Sequence, residues 1–183
     1  MGTTIDSLSN QELELYNYTV SLQEMTDMNE IEKKLKEGGI FRKYQRIHKS
    51  YLDLFFNTAQ EETRLEILKR LIFLNLYVVV EPPWLSGIQN LDRSTVFKSF
   101  SILNDYLTNN KIDKEFKWML SYYSSWKFAI LPFSASLNAL TKFVKEVDTS
   151  ILHAPKKELP KGTMDNRGQM GLYWISYSVE TNK

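Results

Sequence analysis

The chain has 183 residues, of which 43% are apolar and 25% charged, the composition of an ordinary globular domain and not of a disordered one. Its 23 Lys and Arg nearly balance 22 Asp and Glu, so net charge alone selects neither nucleic acid nor a membrane surface. Cysteine is absent, which excludes disulfides, thiolate nucleophiles and thiolate-held zinc or iron–sulfur centres, and His48 and His153 supply all the imidazole.

Taken in chain order, apolar residues recur at helical spacing. Ser9 followed by Glu12 has the form of a capping box, and Leu15, Tyr18, Leu22 and Met25 follow at three and four. A second helix starts after Thr26 or Asp27, carries Met28, Ile31 and Leu35, and ends at Gly38-Gly39. Phe41, Tyr44, Ile47, Tyr51 and Phe55 mark a third, to about Asn57. The fourth begins near Gln60 with Glu61 and Glu62 in its first turn, and beyond Leu71 it is apolar nearly all round, the mark of a helix wrapped by neighbours. Leu76 to Val80 is β-branched enough for a strand, but its phase continues the helix until Pro82-Pro83 stops it.

Asp92 is placed to cap a fifth helix, which carries Val96, Phe100, Leu103 and Leu107 to Asn109-Asn110. Asp113 caps a sixth, expected to run unbroken to Pro132 with Phe116, Trp118, Tyr122, Tyr123, Trp126 and Phe128 on it. The seventh, from Ser134, has the stripe Leu137, Leu140, Val144, Val147 and Ile151. Period then fails from His153 to Gly171, which reads as a long loop. Leu172 to Val179 returns to aromatic and β-branched residues and reads as an extended segment that docks back on the helices. A weak echo at a spacing of 50 residues pairs Ile47, Leu52, Phe56, Leu68, Ile72, Leu76, Val80 and Pro82 with Phe97, Ile102, Tyr106, Trp118, Tyr122, Trp126, Ile130 and Pro132, as two helical-hairpin repeats would.

Charge is segregated along the chain. Residues 1–32 hold seven acids and no base, whereas residues 33–49 hold seven bases, Lys33, Lys34, Lys36, Arg42, Lys43, Arg46 and Lys49, and the single acid Glu37. A basic face of this kind would meet an acidic partner or a phosphate backbone. The structural alternative is that adjacent helices neutralise each other across their contact. Tyr44 and Tyr51 interleave the bases in the manner of a single-strand-binding surface, although their spacing also fits the buried stripe.

The segment Glu81-Pro82-Pro83-Trp84 is a rigid presentation of an acid and an indole, suited to a pocket or a partner anchor, or equally to a stiff connection. His48 lies between Tyr44 and Tyr51 with no nucleophile supplied nearby, and His153 falls at a helix end; both read as structural. The two imidazoles are 105 positions apart, no metal-ligand spacing occurs, and no phosphate-cradling glycine loop or nucleophile elbow is present, so no metal and no cofactor are expected. The ring-rich sixth helix would form core or an apolar ligand pocket.

The sequence therefore predicts an all-α fold, an antiparallel bundle of six or seven helices over residues 1–152. Residues 153–183 form the loop and extended segment packed on it. The expected function is a non-enzymatic protein-binding module of adaptor or toxin-neutralising type, using Glu81, Trp84 and the basic stretch. A small-molecule-binding protein or hydrolase built on Glu81, Trp84, His48 and the sixth-helix tyrosines is the second reading, and nucleic-acid binding through Lys33 to Lys49 the third. The first thirty residues lack a basic start with an apolar core, and the longest apolar run, Leu71 to Val80, falls well short of the roughly 20 residues of a membrane span. A cytoplasmic protein without a membrane segment is the expectation.

Overall fold

Helix α1, Ile5–Ser21, starts at Thr4, whose hydroxyl accepts from Ser7 N while the Ser7 hydroxyl accepts from Thr4 N. The capping box is thus Thr4 with Ser7, and Ser9 and Glu12 are carried inside the helix, both buried. Ser9 mid-helix turns its hydroxyl back to Ile5 O, the usual outlet for a serine away from a cap. The computed structural model describes residues 3–148, 150 and 156–181. Over these residues the chain is mostly helical, with two short strands.

Local chemistry sets the next boundaries. Asp27 accepts from Asn29 N and starts α2, Met28–Glu37; Gly39, at φ +67°, supplies the left-handed turn into α3, Ile40–Asn57. Helix α4, Glu61–Val80, is buried at every position from Ile67 to Tyr77, and Leu76 to Val80 remains helical. It packs on α3, on α6 (Arg93–Thr108), on the single turns α5 (Pro83–Ser86) and α8 (Lys127–Ile130), and on α10 (Gly168–Ser176). Asp92 caps α6 through Thr95 N at 2.7 Å, and Asp113 caps α7, Lys114–Tyr123, through Phe116 N at 2.6 Å.

Three expectations are corrected by the folded chain. The sixth helix does not run to Pro132. It breaks after Tyr123, where Ser124, Ser125 and Trp126 form tight turns onto Leu120, Tyr122 and Tyr123, and resumes as α8 followed by a 3-10 turn at Leu131–Phe133. Serine competes with the helix for backbone hydrogen bonds, and the Trp126 ring packs back on Tyr122 at 4.8 Å. The break also spoils the 50-residue echo, because α4 is continuous where its counterpart is split. The seventh helix is the shorter α9, Asn138–Glu146; its free N–H groups at Ala139 and Leu140 are met at 3.0 and 3.2 Å by the side chain of Asn104 in α6. Ile151, placed on that helix by its spacing, lies outside the described residues.

The third correction concerns the C-terminal segment. Lys157–Pro160 is a strand, β1, and Leu172 to Ser176, read as extended, belong to helix α10; only Ser178–Thr181 is extended, as β2, parallel to β1 with Lys157 opposite Ser178. Burial overrides β propensity here. Met170 and Trp174, four apart, are both enclosed, and Gly171 lets the helix lie on the backbone, since a Cβ there would stand 2.3 Å from Met164 O. Ten α-helical segments are described in place of six or seven, because α5, α8 and α10 add to the expected set. No helix among the described residues is long and apolar enough to cross a membrane.

Candidate docking site

The basic stretch is divided by the fold into unequal parts. Lys33 and Lys36 on α2 and Arg42 on α3 are exposed and line one cleft of about 640 Å³, together with Glu37, Gly39, Phe41, Gln89 and Asn90. Lys43, the residue after Arg42, and Arg46, one turn beyond Arg42, border a separate groove of about 250 Å³ shared with Glu14 and Leu15 of α1. Lys49 bonds Asp53 within its own helix at 3.0 Å. Lys34 is half-buried in the last turn of α2, where it and Lys36 also favour the helix dipole.

Neutralisation by direct ion pairs across helices is absent from the described residues of this stretch, although Glu14 of α1 shares a groove with Lys43 and Arg46. Among the described residues no ion pair joins Lys33, Lys34, Lys36, Arg42, Lys43 or Arg46 to a carboxylate. Four acids of the N-terminal stretch are used elsewhere, Asp6 in the first turn of α1, Asp27 as a cap and Glu30 in the first turn of α2, and Glu12 in the interior, whereas Glu14 borders that groove. Helix α3 opens at the cleft with no side-chain cap and no acid in its first turn, so its N-terminal partial charge adds to the three cations. Tyr44 and Tyr51 are fully buried and unavailable to stack on a base.

The Gln89–Asn90 wall was not visible as a site in the sequence. It follows Gly87, which takes φ +75° where a Cβ would fall 2.5 Å from Thr19 Oγ1; Asn90 itself is left-handed at φ +52°, and its carbonyl accepts from Gln45 Nε2 at 2.8 Å. On the other side of this wall lies a second cleft, of about 450 Å³, lined by Val78, Val79, Leu91, Arg93, Val96 and Phe133 with Asn75.

Glu81 and Trp84 sit apart from both clefts. The Trp84 ring is half-buried against the core and its carbonyl accepts from Gln23 Nε2 at 2.7 Å, so α5 is a braced connection. Burial raises the Glu81 carboxyl above the usual range, and its charge acts on Tyr77 and Tyr122. His48 is enclosed elsewhere, beside Asn75 and under the influence of Asp92; burial lowers its pKa to about 4. The acid and the imidazole thus have different neighbours, and neither lines a described cleft. His153 lies outside the described residues. The rings of α7 are covered by the chain's own: Trp174 lies 4.2 Å from Trp118 and donates to Tyr123 Oη at 2.8 Å, and Tyr173 meets Tyr122 Oη at 3.3 Å.

A dense polar network inside the molecule escaped the sequence reading altogether. Arg167 binds both carboxylate oxygens of Glu66, at 2.8 and 2.5 Å, and both of Glu115, at 2.8 and 2.9 Å. Lys69 reaches Glu115 and Asp113 at 2.6 Å each, and Arg70 bonds Glu66, Ser9 and Tyr51. Burial alone would raise the Glu115 carboxyl, but hydrogen bonds from Arg167 and Lys69 outweigh it and bring it down to about 2. Glu12 accepts from Gln169 N at the start of α10, at 3.0 Å, and Gln169 in turn bonds Tyr44 and Ser86. Apart from Glu12 Oε1, which is buried with no hydrogen-bond partner, these groups bond one another and open on no described cleft, so they hold the C-terminal segment to α1, α4 and α7. Set against known protein families, curated proteins and solved structures, the chain matches none of them.

Proposed function

We propose that the protein is a non-enzymatic protein-binding module, of the adaptor or toxin-neutralising kind, that docks an acidic segment of a partner protein across α2, the start of α3 and the Gln89–Asn90 wall. One observation carries the reading: Lys33, Lys36 and Arg42 are exposed around one cleft, and no ion pair to a carboxylate engages any of them among the described residues. Clustered like charges repel, and a carboxylate-bearing partner relieves that repulsion while steering its own approach. The long helices, read as an antiparallel bundle, are the rigid scaffold. Against nucleic acid stand the buried Tyr44 and Tyr51; against a hydrolase stands the full burial of His48, which lines neither cleft.

The test is titration calorimetry with a glutamate-rich peptide of about ten residues at about 50 and about 200 mM salt. The expected result is binding that weakens roughly tenfold at the higher salt and is lost in Lys33→Glu/Lys36→Glu/Arg42→Glu, whose exposed positions leave the fold intact. No binding at low salt removes the proposal. A single-stranded oligonucleotide of equal charge that binds more tightly than the peptide transfers the face to nucleic acid.

A further inference from the structure

We infer that the docked segment carries an apolar side chain beside its carboxylates and seats it in the cleft over Val78, Val79 and Phe133. This rests on the docking reading above and adds the partner's second chemical requirement. The two clefts share Gln89 and Asn90 as a common wall, so a segment lying on the cations reaches the apolar cleft by crossing those two residues. Val79 is 43% exposed and Val78 and Phe133 are half-buried, an apolar surface left in part uncovered among the described residues.

Charge identifies the occupant. Arg93 lies over the Phe133 ring, 5.9 Å from its centroid, and makes no described ion pair, so a cation edges the apolar cleft as three edge the basic one. Glu37 is the acid that lines the basic cleft, no described acid lines the apolar one, and Asp92, between Leu91 and Arg93, is committed to capping α6. At the floor, Asn75 is 2% exposed and held through Nδ2 by Ser99 at 2.7 Å, a fixed amide among aliphatic walls. Both clefts are partly open to solvent, whereas a small-molecule site encloses most of its ligand. An acidic peptide segment with one branched aliphatic or aromatic anchor fits a cation-edged, open, two-part groove, and such an anchor dominates the affinity of a small interface.

The experiment scans one leucine through each position of the glutamate-rich peptide and compares every member with the all-glutamate parent. At least one leucine peptide is expected to bind about tenfold more tightly, the gain from burying one such side chain. That gain disappears in Val79→Gln, a neutral change at an exposed position, while the parent peptide binds Val79→Gln as it binds the unaltered protein. The methyl resonances of Val78, Val79 and Val96 shift on adding the tight peptide and not on adding the parent. If parent and leucine peptides bind equally, the docking face stands and the apolar anchor is wrong. If the gain survives Val79→Gln with no shift at those methyls, the anchor sits elsewhere and the inference falls. If no peptide binds, both readings fall together.

Discussion

At position 48 an imidazole sits with no exposed surface, on the same helix face as Tyr44, Tyr51 and Phe55. Burial favours its neutral form, which places its folded pKa near 4 against 6.5 in an open chain, with Asn75 and Asp92 opposing part of the shift. The unfolded chain therefore takes up a proton first. His48's contribution to stability is complete above about 6.5 and is lost as pH falls from there through 4. Glu115, held near 2, contributes above about 4.5 and loses its share below that, so the interval between 4.5 and 6.5 belongs to His48 of these two. The buried Glu12, whose carboxyl is raised, acts in the opposite sense, so the comparison needs a variant at His48 itself. Between pH 7 and pH 4.5, unfolding free energy is expected to fall by about 2 kcal/mol more in the unaltered protein than in His48→Gln. Equal losses in urea titrations at the two pH values would show that this imidazole is not held neutral. From the sequence, His48 was legible as structural through its place on the apolar stripe. Its neighbour Asn75, 27 positions along the chain, was not, because a helix pattern gives a face and never the identity of the facing residue.

Elements set by local chemistry were legible; those set by distant partners were not. Asp27, Asp92 and Asp113 cap helices where a carboxylate meeting free N–H groups demands it, and Pro82-Pro83 ends α4. The α9 start misleads, since its cap is supplied by Asn104 from another helix. Helix α10 misleads more, because its aromatic, β-branched letters favour a strand while its stability comes from Glu12 at its first turn, Arg167 just before it and Trp174 among the α7 rings. Arg167 is the strongest of these ties. Replacing it removes the guanidinium that Glu66 and Glu115 share, leaving Glu66 to Arg70 and Glu115 to Lys69 on either side of a vacated site. Both carboxylates are about a quarter exposed, so Arg167→Ala is expected to cost about 2–3 kcal/mol, below the figure for a fully enclosed pair. Arg167→Lys restores only part, since an ammonium cannot reproduce four contacts to two carboxylates. Denaturant unfolding of the two variants checks the order; a loss under about 0.5 kcal/mol in Arg167→Ala would reduce the pair to an ordinary surface contact.

On the scale of the whole molecule, the same ties decide whether residues 156–181 are an appendage or part of the core. An appendage would leave its docking surface apolar or solvated and content without it. Here the surface beneath is charged and enclosed: Arg70 is 3% exposed, Lys69 5% and Glu12 1%, and the α7 rings Tyr122 and Tyr123 are buried under Tyr173 and Trp174. Removing the segment takes from Glu12 its bond to Gln169 N and from Glu66 and Glu115 their shared guanidinium, and it exposes two tyrosines. Each loss is comparable with a sizeable fraction of a domain's total stability of about 5–15 kcal/mol. A chain ending at residue 150 is therefore expected to lose its cooperative thermal transition and to bind a hydrophobic dye, while keeping much of its helical dichroism. Adding residues 151–183 back as a separate peptide should restore the transition, because the contacts are side-chain and cap hydrogen bonds that need no covalent link. A sharp transition in the shortened chain, unchanged by that peptide, would mean that α1, α3, α4 and α7 close over these charges without help, and that the Arg167 network is a seal and not a keystone.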